Sequence, residues 1–209
     1  MTPVAALVGC LIAYTAGSIP SAYIAGRVVR GIDLRTVGSG NLGATNVYRE
    51  LGAVPAIVVL LLDALKGGLP AGLLPTALGD DPVAHASWGV LFGVCAIVGH
   101  AKPVFLLWRG GGKGVATAAG VFGAVAPLPL AGGLAVFAAV VAVTRFVSLA
   151  SIIAACALPA LVWLAHGSPV VIGTGAAVAA FVLWSHRANL RRLRAGTEPR
   201  IGRPGGTKS

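Results

Sequence analysis

VATAAGVFGAVAPLPLAGGLAVFAAVVAV, the uncharged stretch at residues 115–143, determines how often this chain can cross a membrane. Its 29 residues exceed the roughly 20 that one helical crossing needs, yet they are few for two crossings. Pro127 and Pro129 lie near its middle, and proline ends or kinks a helix because it lacks an amide hydrogen. The stretch therefore predicts two helices that meet at the prolines.

The composition assigns the whole chain to the membrane. Of its 209 residues, 56% are hydrophobic and 11% are charged, and the mean hydropathy is +0.88. A typical soluble domain has about 25% charged residues, and this chain has too few polar side chains to cover a globule of its size. The composition thus excludes a soluble globular protein.

Counting Lys and Arg gives the number of crossings and their direction. Cytoplasmic loops collect these residues, and seven crossings place every one of them except Lys66 on one side. A single crossing by residues 115–143 would put the basic C-terminal tail outside. We therefore predict an all-α integral membrane protein with seven transmembrane helices, N-terminus outside and C-terminus cytoplasmic, and a single domain over residues 1–209. The predicted spans are 4–26, 53–78, 83–98, 115–127, 129–143, 149–165 and 169–185, followed by a flexible basic tail at 200–209.

The charge and the cysteines limit the possible partners. The formal net charge is +10, concentrated in a few short stretches between apolar runs. This pattern favours membrane lipids and small phosphate-bearing anions over nucleic acid. Cys10, Cys95 and Cys156 are scattered within apolar runs, so they predict neither a disulfide framework nor a zinc site.

Glycines alternate with hydroxyl and amide side chains in the first cytoplasmic loop, GSGNLGATNVYR at residues 38–49. Glycine lets successive backbone N–H groups converge on a phosphate, and the polar side chains and Arg49 add further contacts. A flexible turn with solvated side chains is the alternative. The spacing also matches GxGxxG, but no strand precedes it, so dinucleotide binding is rejected.

A second glycine-rich segment lies in the third loop, GHAKPVFLLWRGGGKGVAT at residues 99–117. It is not a nucleotide-binding P-loop, because Gly114 stands where that motif needs Ser or Thr after Lys113. A helix that begins near Gly114 would direct its free N–H groups at a bound anion. The alternative is a basic topology signal with a glycine hinge.

Two further polar features remain. In SHRANLRRLRAGTE at residues 185–198, His186 and Asn189 would share one face if the last helix continues beyond the membrane. A basic amphipathic helix lying on anionic lipid is the alternative. Asp63 and Lys66 lie one turn apart within the second span, which predicts a structural ion pair inside the bundle or, alternatively, a direct substrate contact.

These residues favour one chemistry. The glycines and cations have no nearby cluster of acidic residues for Mg²⁺, and no His is followed by Asp at the spacing of thioester-dependent acyltransferases. A mixed anhydride such as an acyl phosphate has a good leaving group, so aligning a hydroxyl and stabilising charge is sufficient. We therefore expect neither a metal nor a cofactor.

Three motifs occur in order: GSGNLGATN at 38–46, Gly99-His100 followed by RGGGKGVAT at 109–117, and HRANLRRL at 186–193. They resemble the three cytoplasmic motifs of the bacterial acyl-phosphate:glycerol-3-phosphate acyltransferase family. DALKG at 63–67 and TRFVSLAS at 144–151 are also similar to that family. The resemblance covers nearly the whole chain.

The resemblance implies a multi-pass enzyme of the bacterial inner membrane, active at its cytoplasmic face. It implies acyl transfer from acyl phosphate to the 1-hydroxyl of glycerol 3-phosphate, giving 1-acylglycerol 3-phosphate and phosphate in the first step of phospholipid synthesis. The resemblance further implies that neither acyl-CoA nor a metal is needed, and that the departing phosphate serves as the base. A functional link to a soluble enzyme that produces acyl phosphate is also implied.

The resemblance also assigns roles to residues. The implied catalytic set is Ser39, Arg49, His186 and Asn189. The implied substrate-binding set is Asn41, Thr45, Asn46, Arg109, Lys113 and Ser148. The family commonly has Lys-Gly-Gly-Lys-Gly, whereas here three glycines follow Arg109 and move Lys113 one residue further from His100.

Two other functions are alternatives to this acyltransferase interpretation. A transporter of an organic phosphate would use the interior Asp63 and Lys66 as part of a pathway, but its outer loops would be expected to have cations, and these have none. A non-catalytic membrane scaffold would not require Ser, Thr and Asn among cytoplasmic glycines.

Overall fold

The computed structural model describes residues 1–79 and 84–202, and within these residues all regular secondary structure is helical. The prediction of an all-α protein is confirmed to that extent. The α-helices are α1 (Pro3–Gly17), α2 (Ser21–Arg30), α3 (Ala44–Leu51), α4 (Ala53–Ala77), α5 (His85–Ala101), α6 (Val115–Val125), α7 (Pro127–Thr144), α8 (Val147–Leu164), α9 (Pro169–Ser185) and α10 (Arg187–Arg194), with a short 3₁₀ helix at Val104–Leu106.

Most of these helices are apolar on every side. In the described part of the chain, five spans are long and apolar enough to cross a membrane, the first being α1 and α2 together, and α9 with α10 would make a sixth. α6 has 11 residues, a length of about 16 Å at 1.5 Å per residue, whereas the hydrocarbon core is about 30 Å thick. The length of the helices therefore supports five or six crossings, and the seventh stays a prediction.

Prolines end and begin helices at two places. Between α6 and α7, Ala126 leaves the helical conformation and Pro127 begins the next helix, where a missing amide hydrogen costs nothing. The span 4–26, predicted as one uninterrupted helix, contains a second break. Ser18, Ile19 and Pro20 separate α1 from α2 because Pro20 cannot donate to the preceding turn.

The chain divides into two compact units, Met1–Pro127 and Leu128–Ser209. In the first unit, α4 packs closely on α6 through glycine. A side chain at Gly67 would overlap the carbonyl oxygen of Thr117, and one at Gly120 would overlap that of Ala64. Such close approach of two backbones is typical of helices that associate in a membrane.

An apolar cluster in the first unit supports the first loop. Leu34 and Leu42 come from that loop, Val47 from α3 and Val59 from α4, and all four are buried. Because both sides of the loop are fixed in this cluster, the polar residues between them are held in one place.

In the second unit, α8 packs on α9, and the segment after α10 returns to the start of α8. Ile201 donates its N–H to Arg145 O at 2.9 Å, and the Arg200 guanidinium lies over the Phe146 ring. The predicted flexible tail thus begins with residues that have defined contacts. Its remainder, residues 203–209, lies outside the described residues, as do Asp80 and Asp81.

Candidate functional site

The first loop is organised by a buried amide. Asn46 is 1% exposed, and its Oδ1 accepts from Ser39 N at 2.9 Å. Its Nδ2 donates to Leu34 O at 3.2 Å and to Val37 O at 3.3 Å. Gly38 and Gly40 have φ of 58° and 68°, a region that L side chains rarely adopt. Asn46 therefore uses both its donors and its acceptor to shape the loop.

An ion pair closes the start of the same loop. Arg35 Nη2 lies 2.6 Å from Asp33 Oδ2, and Arg35 Nη1 donates to Arg109 O at 3.2 Å in the third loop. The hydrogen bonds from Arg35 lower the pKa of the Asp33 carboxyl to about 2. The Asp33–Arg35 pair thus connects the loop that precedes α3 with the loop that carries Arg109.

The two glycine-rich loops are joined a second time through their backbones. Leu42 donates its N–H to Gly111 O at 3.2 Å. With its amide oriented so that both ends are satisfied, Asn41 also donates to Gly111 O at 3.2 Å and accepts from Gly43 N at 3.3 Å. The two glycine-rich segments, which were predicted separately from sequence, are therefore in direct contact within the first unit.

The third loop is held at its base and at its centre. Trp108 Nε1 donates to Tyr14 OH at 2.8 Å, and that hydroxyl donates to Lys102 O at 2.9 Å. Gly112 N donates to His100 O at 3.1 Å. α6 begins at Val115 without a side-chain cap, so the N–H groups of its first turn have no side-chain acceptor at the cap position. The loop thus offers backbone donors close to Lys113.

The Arg and Lys side chains that the sequence predicts as phosphate ligands differ in their exposure. Arg49 is exposed on α3 and has no hydrogen-bond or ion-pair partner among residues 1–79 and 84–202. Arg109 is exposed and is connected to the first loop through its carbonyl oxygen. Lys113 is half-buried. Ser39 and Thr45 lie on the first loop and at the start of α3, exposed and half-buried respectively.

Asp63 and Lys66, predicted as a structural ion pair, lie 2.7 Å apart between Asp63 Oδ1 and Lys66 Nζ. Both are buried in α4, and Lys66 Nζ also donates to Ile19 O at 2.9 Å, at the break between α1 and α2. His100 Nδ1 lies 3.7 Å from Asp63 Oδ1. The pair is therefore adjacent to the residue that supports Gly112.

In the second unit, Ser148 and Asn189, both predicted as site residues, donate hydrogen bonds to one carboxylate. Ser148 Oγ and Asn189 Nδ2 each donate to Glu198 Oε1 at 2.7 Å, and Arg192 Nε donates to Glu198 Oε2 at 2.7 Å. Burial by itself would raise the pKa of Glu198, but the hydrogen bonds from Asn189, Ser148 and Arg192 outweigh it and lower the pKa. Glu198 is thus an ionised acceptor that fixes Ser148 and Asn189.

His186 marks a sharp bend. The chain continues as a helix beyond this residue, as the predicted shared face of His186 and Asn189 requires, but α9 and α10 meet there at 58°. Both the backbone N–H and the ring Nδ1 of His186 approach Val182 O, at 3.0 and 2.9 Å. A side chain that competes for a helix carbonyl is a common cause of a bend. His186 and Asn189 are both buried near this bend.

Sequence reasoning missed two residues of these clusters. Glu198 was noted as an acidic residue but not as a partner of Ser148, and His100 was quoted within a motif but given no role. The available signal for Glu198 was its isolation as the one acidic residue of the strongly basic C-terminal segment. Among the described residues, no group of three or more His, Cys, Asp or Glu side chains could hold a metal.

The helices and paired loops define a membrane protein whose polar site is built from glycines, amides and cations. Residues 7–196 match the family model described as glycerol-3-phosphate acyltransferase. The chain therefore belongs to the glycerol-3-phosphate acyltransferase family, and it is an acyltransferase of phospholipid biosynthesis.

Two relatives match this chain over most of its length and most of their own. A glycerol-3-phosphate acyltransferase from Synechococcus sp. (strain CC9902) is 48% identical over 193 residues, 92% of this chain and 93% of the relative. One from Geobacter sulfurreducens is 47% identical and covers 91% and 94% of the two chains.

Crystal structures of PlsY (YgiH), an integral membrane glycerol 3-phosphate acyltransferase, have the same fold. Its glycerol 3-phosphate form is 37% identical to this chain, with a TM-score of 0.84 and coverage of 94% of this chain and 96% of that one. Its lysophosphatidic acid form gives 36% and 0.83, with coverage of 94% and 95%.

Proposed function

We propose that this enzyme transfers a fatty acyl group from an acyl phosphate to the 1-hydroxyl of glycerol 3-phosphate, giving 1-acylglycerol 3-phosphate and phosphate. The observation that carries the proposal is the direct hydrogen bonding between the two glycine-rich loops, through Leu42, Asn41 and Gly111. The loop that leads into α3, which carries Arg49, is thus in direct contact with the loop that carries Arg109. The glycerol 3-phosphate and lysophosphatidic acid forms of the similar enzyme support the same acceptor and product.

The reaction needs positioning and charge stabilisation from these residues. The 1-hydroxyl oxygen forms a bond to the acyl carbonyl carbon, the bond from that carbon to the phosphate oxygen breaks, and the departing phosphate takes the hydroxyl proton. Arg49 is available for bidentate contact with a phosphate, because it is exposed and without a partner in the described residues. Arg109 and Lys113 stabilise the charge that develops on the leaving phosphate.

The amides and hydroxyls have two kinds of role in this proposal. Ser39, Asn41 and Thr45 contact substrate, whereas Asn46 chiefly maintains the loop because both its donors are used there. In the second unit, the Ser148 hydroxyl donates its hydrogen to Glu198. Its oxygen can therefore only accept a hydrogen bond from substrate. His186 and Asn189 remain in the proposed catalytic set, as the resemblance implies.

The proposed location is the bacterial inner membrane, with the site on the cytoplasmic face. We propose seven crossings with the N-terminus outside, because only this number leaves the outer loops without Lys or Arg. The proposed donor also implies a soluble enzyme that produces acyl phosphate.

Phosphate release tests the proposed reaction. Purified, detergent-solubilised protein is given palmitoyl phosphate with and without glycerol 3-phosphate, in EDTA. We expect release that requires both substrates, together with formation of the acylated product. Folded protein that releases no phosphate, and is also inactive with acyl-CoA, would contradict the proposal and favour transport of an organic phosphate.

A further inference from the structure

The buried Asp63–Lys66 pair contacts two further groups besides forming its own ion pair. Lys66 Nζ is 2.7 Å from Asp63 Oδ1 and already donates to Ile19 O at 2.9 Å. Apart from this ion contact, Asp63 Oδ1 has no hydrogen-bond partner among the described residues. It faces His100 Nδ1 at 3.7 Å, which is too long for a hydrogen bond but is a direct electrostatic contact. The pair is thus directed toward the end of α5.

His100 connects this pair to the glycine loop, which we define as residues 110–114. Its carbonyl oxygen accepts from Gly112 N at 3.1 Å, so it fixes the middle of the loop. Its ring lies against Gly112 so closely that a Cβ at Gly112 would overlap Nε2. Gly111, the preceding residue, accepts hydrogen bonds from the first loop. A continuous series of contacts therefore runs from Asp63 to both loops.

We propose that Asp63 and Lys66 position the glycine loop through His100, and so determine the affinity of the site for its phosphate-bearing substrate. This inference rests on the proposed function. A carboxylate that faces Nδ1 favours the tautomer with hydrogen on that nitrogen and fixes the orientation of the ring. The fixed ring packs against Gly112 and keeps the Gly112 N–H directed at His100 O. His100 is a positioning residue here and does not contact substrate.

The first test removes both charges together, as Asp63→Asn with Lys66→Met. Replacing both members of a buried pair is far better tolerated than removing one, so we expect a melting temperature close to that of the wild type. The KM for the acyl phosphate, whose phosphate group is proposed to lie against Arg109 and Lys113, should rise on the order of tenfold, with a smaller change in kcat, because misplaced binding groups weaken substrate capture. Unchanged KM in the folded double variant would overturn the proposal.

The second test uses the contact between the ring and the loop. Gly112 does not have a positive φ, so Gly112→Ala is compatible with its backbone but drives a methyl group into His100. We expect the KM to rise on the order of tenfold in Gly112→Ala, yet by about twofold or less when the same change is made in a His100→Ala background. Additive effects would overturn the proposal. Gly173→Ala is the matched control, because nothing lies within 4 Å of its Cβ position.

The third test does not depend on catalysis. Hydrogen–deuterium exchange of the substrate-free protein reports on the Gly112 N–H, and peptides from α9 are the internal control. In Asp63→Asn/Lys66→Met, exchange in the glycine loop should be on the order of tenfold faster, while α9 stays unchanged. Equal exchange in both proteins would overturn the inference. If the wild type lacks acyl transfer, the proposed function fails, and this result still decides whether the pair positions the loop.

Discussion

Arg49 is the residue on which we expect turnover to depend most strongly. It is exposed on α3, has no partner among the residues described, and follows the loop that Asn46 holds in place. Arg49→Ala should lower kcat/KM by at least about 100-fold, the usual cost of losing one preorganised donor to a developing charge. Arg30→Ala, which removes another exposed arginine of the first unit, is the control. Near-normal turnover in folded Arg49→Ala would contradict the phosphate-binding role.

Glu198 has a different role, because its contacts are with the protein itself. Its carboxylate accepts hydrogen bonds from Ser148, Asn189 and Arg192. Glu198→Gln removes the charge and one acceptor, so the free energy of unfolding should fall by about 1–3 kcal/mol. Thermal unfolding in detergent measures this loss, and Ser148→Ala, which removes a single donor, should cost less. An unchanged melting temperature in Glu198→Gln would show that these contacts do not stabilise the second unit.

Asp33 makes the first unit sensitive to acid. Because hydrogen bonds from Arg35 lower its pKa from 3.8 to about 2, the ionised form stabilises the folded state at any pH above 3.8. That stabilisation is lost as the pH falls through about 2. Melting temperatures measured from about pH 5 down to about pH 2 should therefore fall less steeply in Asp33→Asn than in the wild type. Equal slopes would mean that the ion pair does not contribute to stability.

At the scale of helices, the contact between α4 and α6 depends on residues without side chains. A side chain at Gly120 would overlap Ala64 O, which is backbone and can yield only if the helices separate. Gly120→Val should reduce the free energy of unfolding by about 1–3 kcal/mol, as overpacking usually does. Gly173→Ala, in an open position on α9, should not lower the free energy of unfolding. A thermal shift assay compares the two, and equal stability would argue against close packing here.

The helix pattern was largely predictable from local sequence, and the exceptions have local causes. Hydropathy indicates an apolar helix wherever the structure has one from α4 to α9, and Pro127 separates α6 from α7. The break at Ile19 was missed because Pro20 lies inside an otherwise uninterrupted apolar run. The bend at His186 was missed because it depends on a side chain that approaches Val182 O.

At the scale of the molecule, the sequence predicted more of the polar contacts of the first unit than of those of the second unit. The glycine-rich loops were recognisable because their glycines, amides and cations lie close together in sequence, a pattern typical of phosphate-binding loops. Glu198 and His100 act through partners distant in sequence, such as Ser148 and Asp63, and no spacing rule connects such residues. Asn46 was assigned to substrate by resemblance, although its donors are used to build the loop.

The number of crossings can be decided with single-cysteine reporters. Replacement of Cys10, Cys95 and Cys156 by Ala should leave an active enzyme, because no proposed step uses a thiol. In that background, Thr36→Cys and Thr197→Cys place exposed reporters before and after residues 115–143, and Ser168→Cys adds one between α8 and α9. An impermeant maleimide applied to intact cells should label only the reporter at position 168. With seven crossings, the reporters at positions 36 and 197 both lie in the cytoplasm. This agrees with the positive-inside rule, because the loops that hold them are rich in Lys and Arg. Labelling at 197 with protection at 168 would instead mean that residues 115–143 cross once, and the proposed orientation of the second unit in the membrane would be wrong.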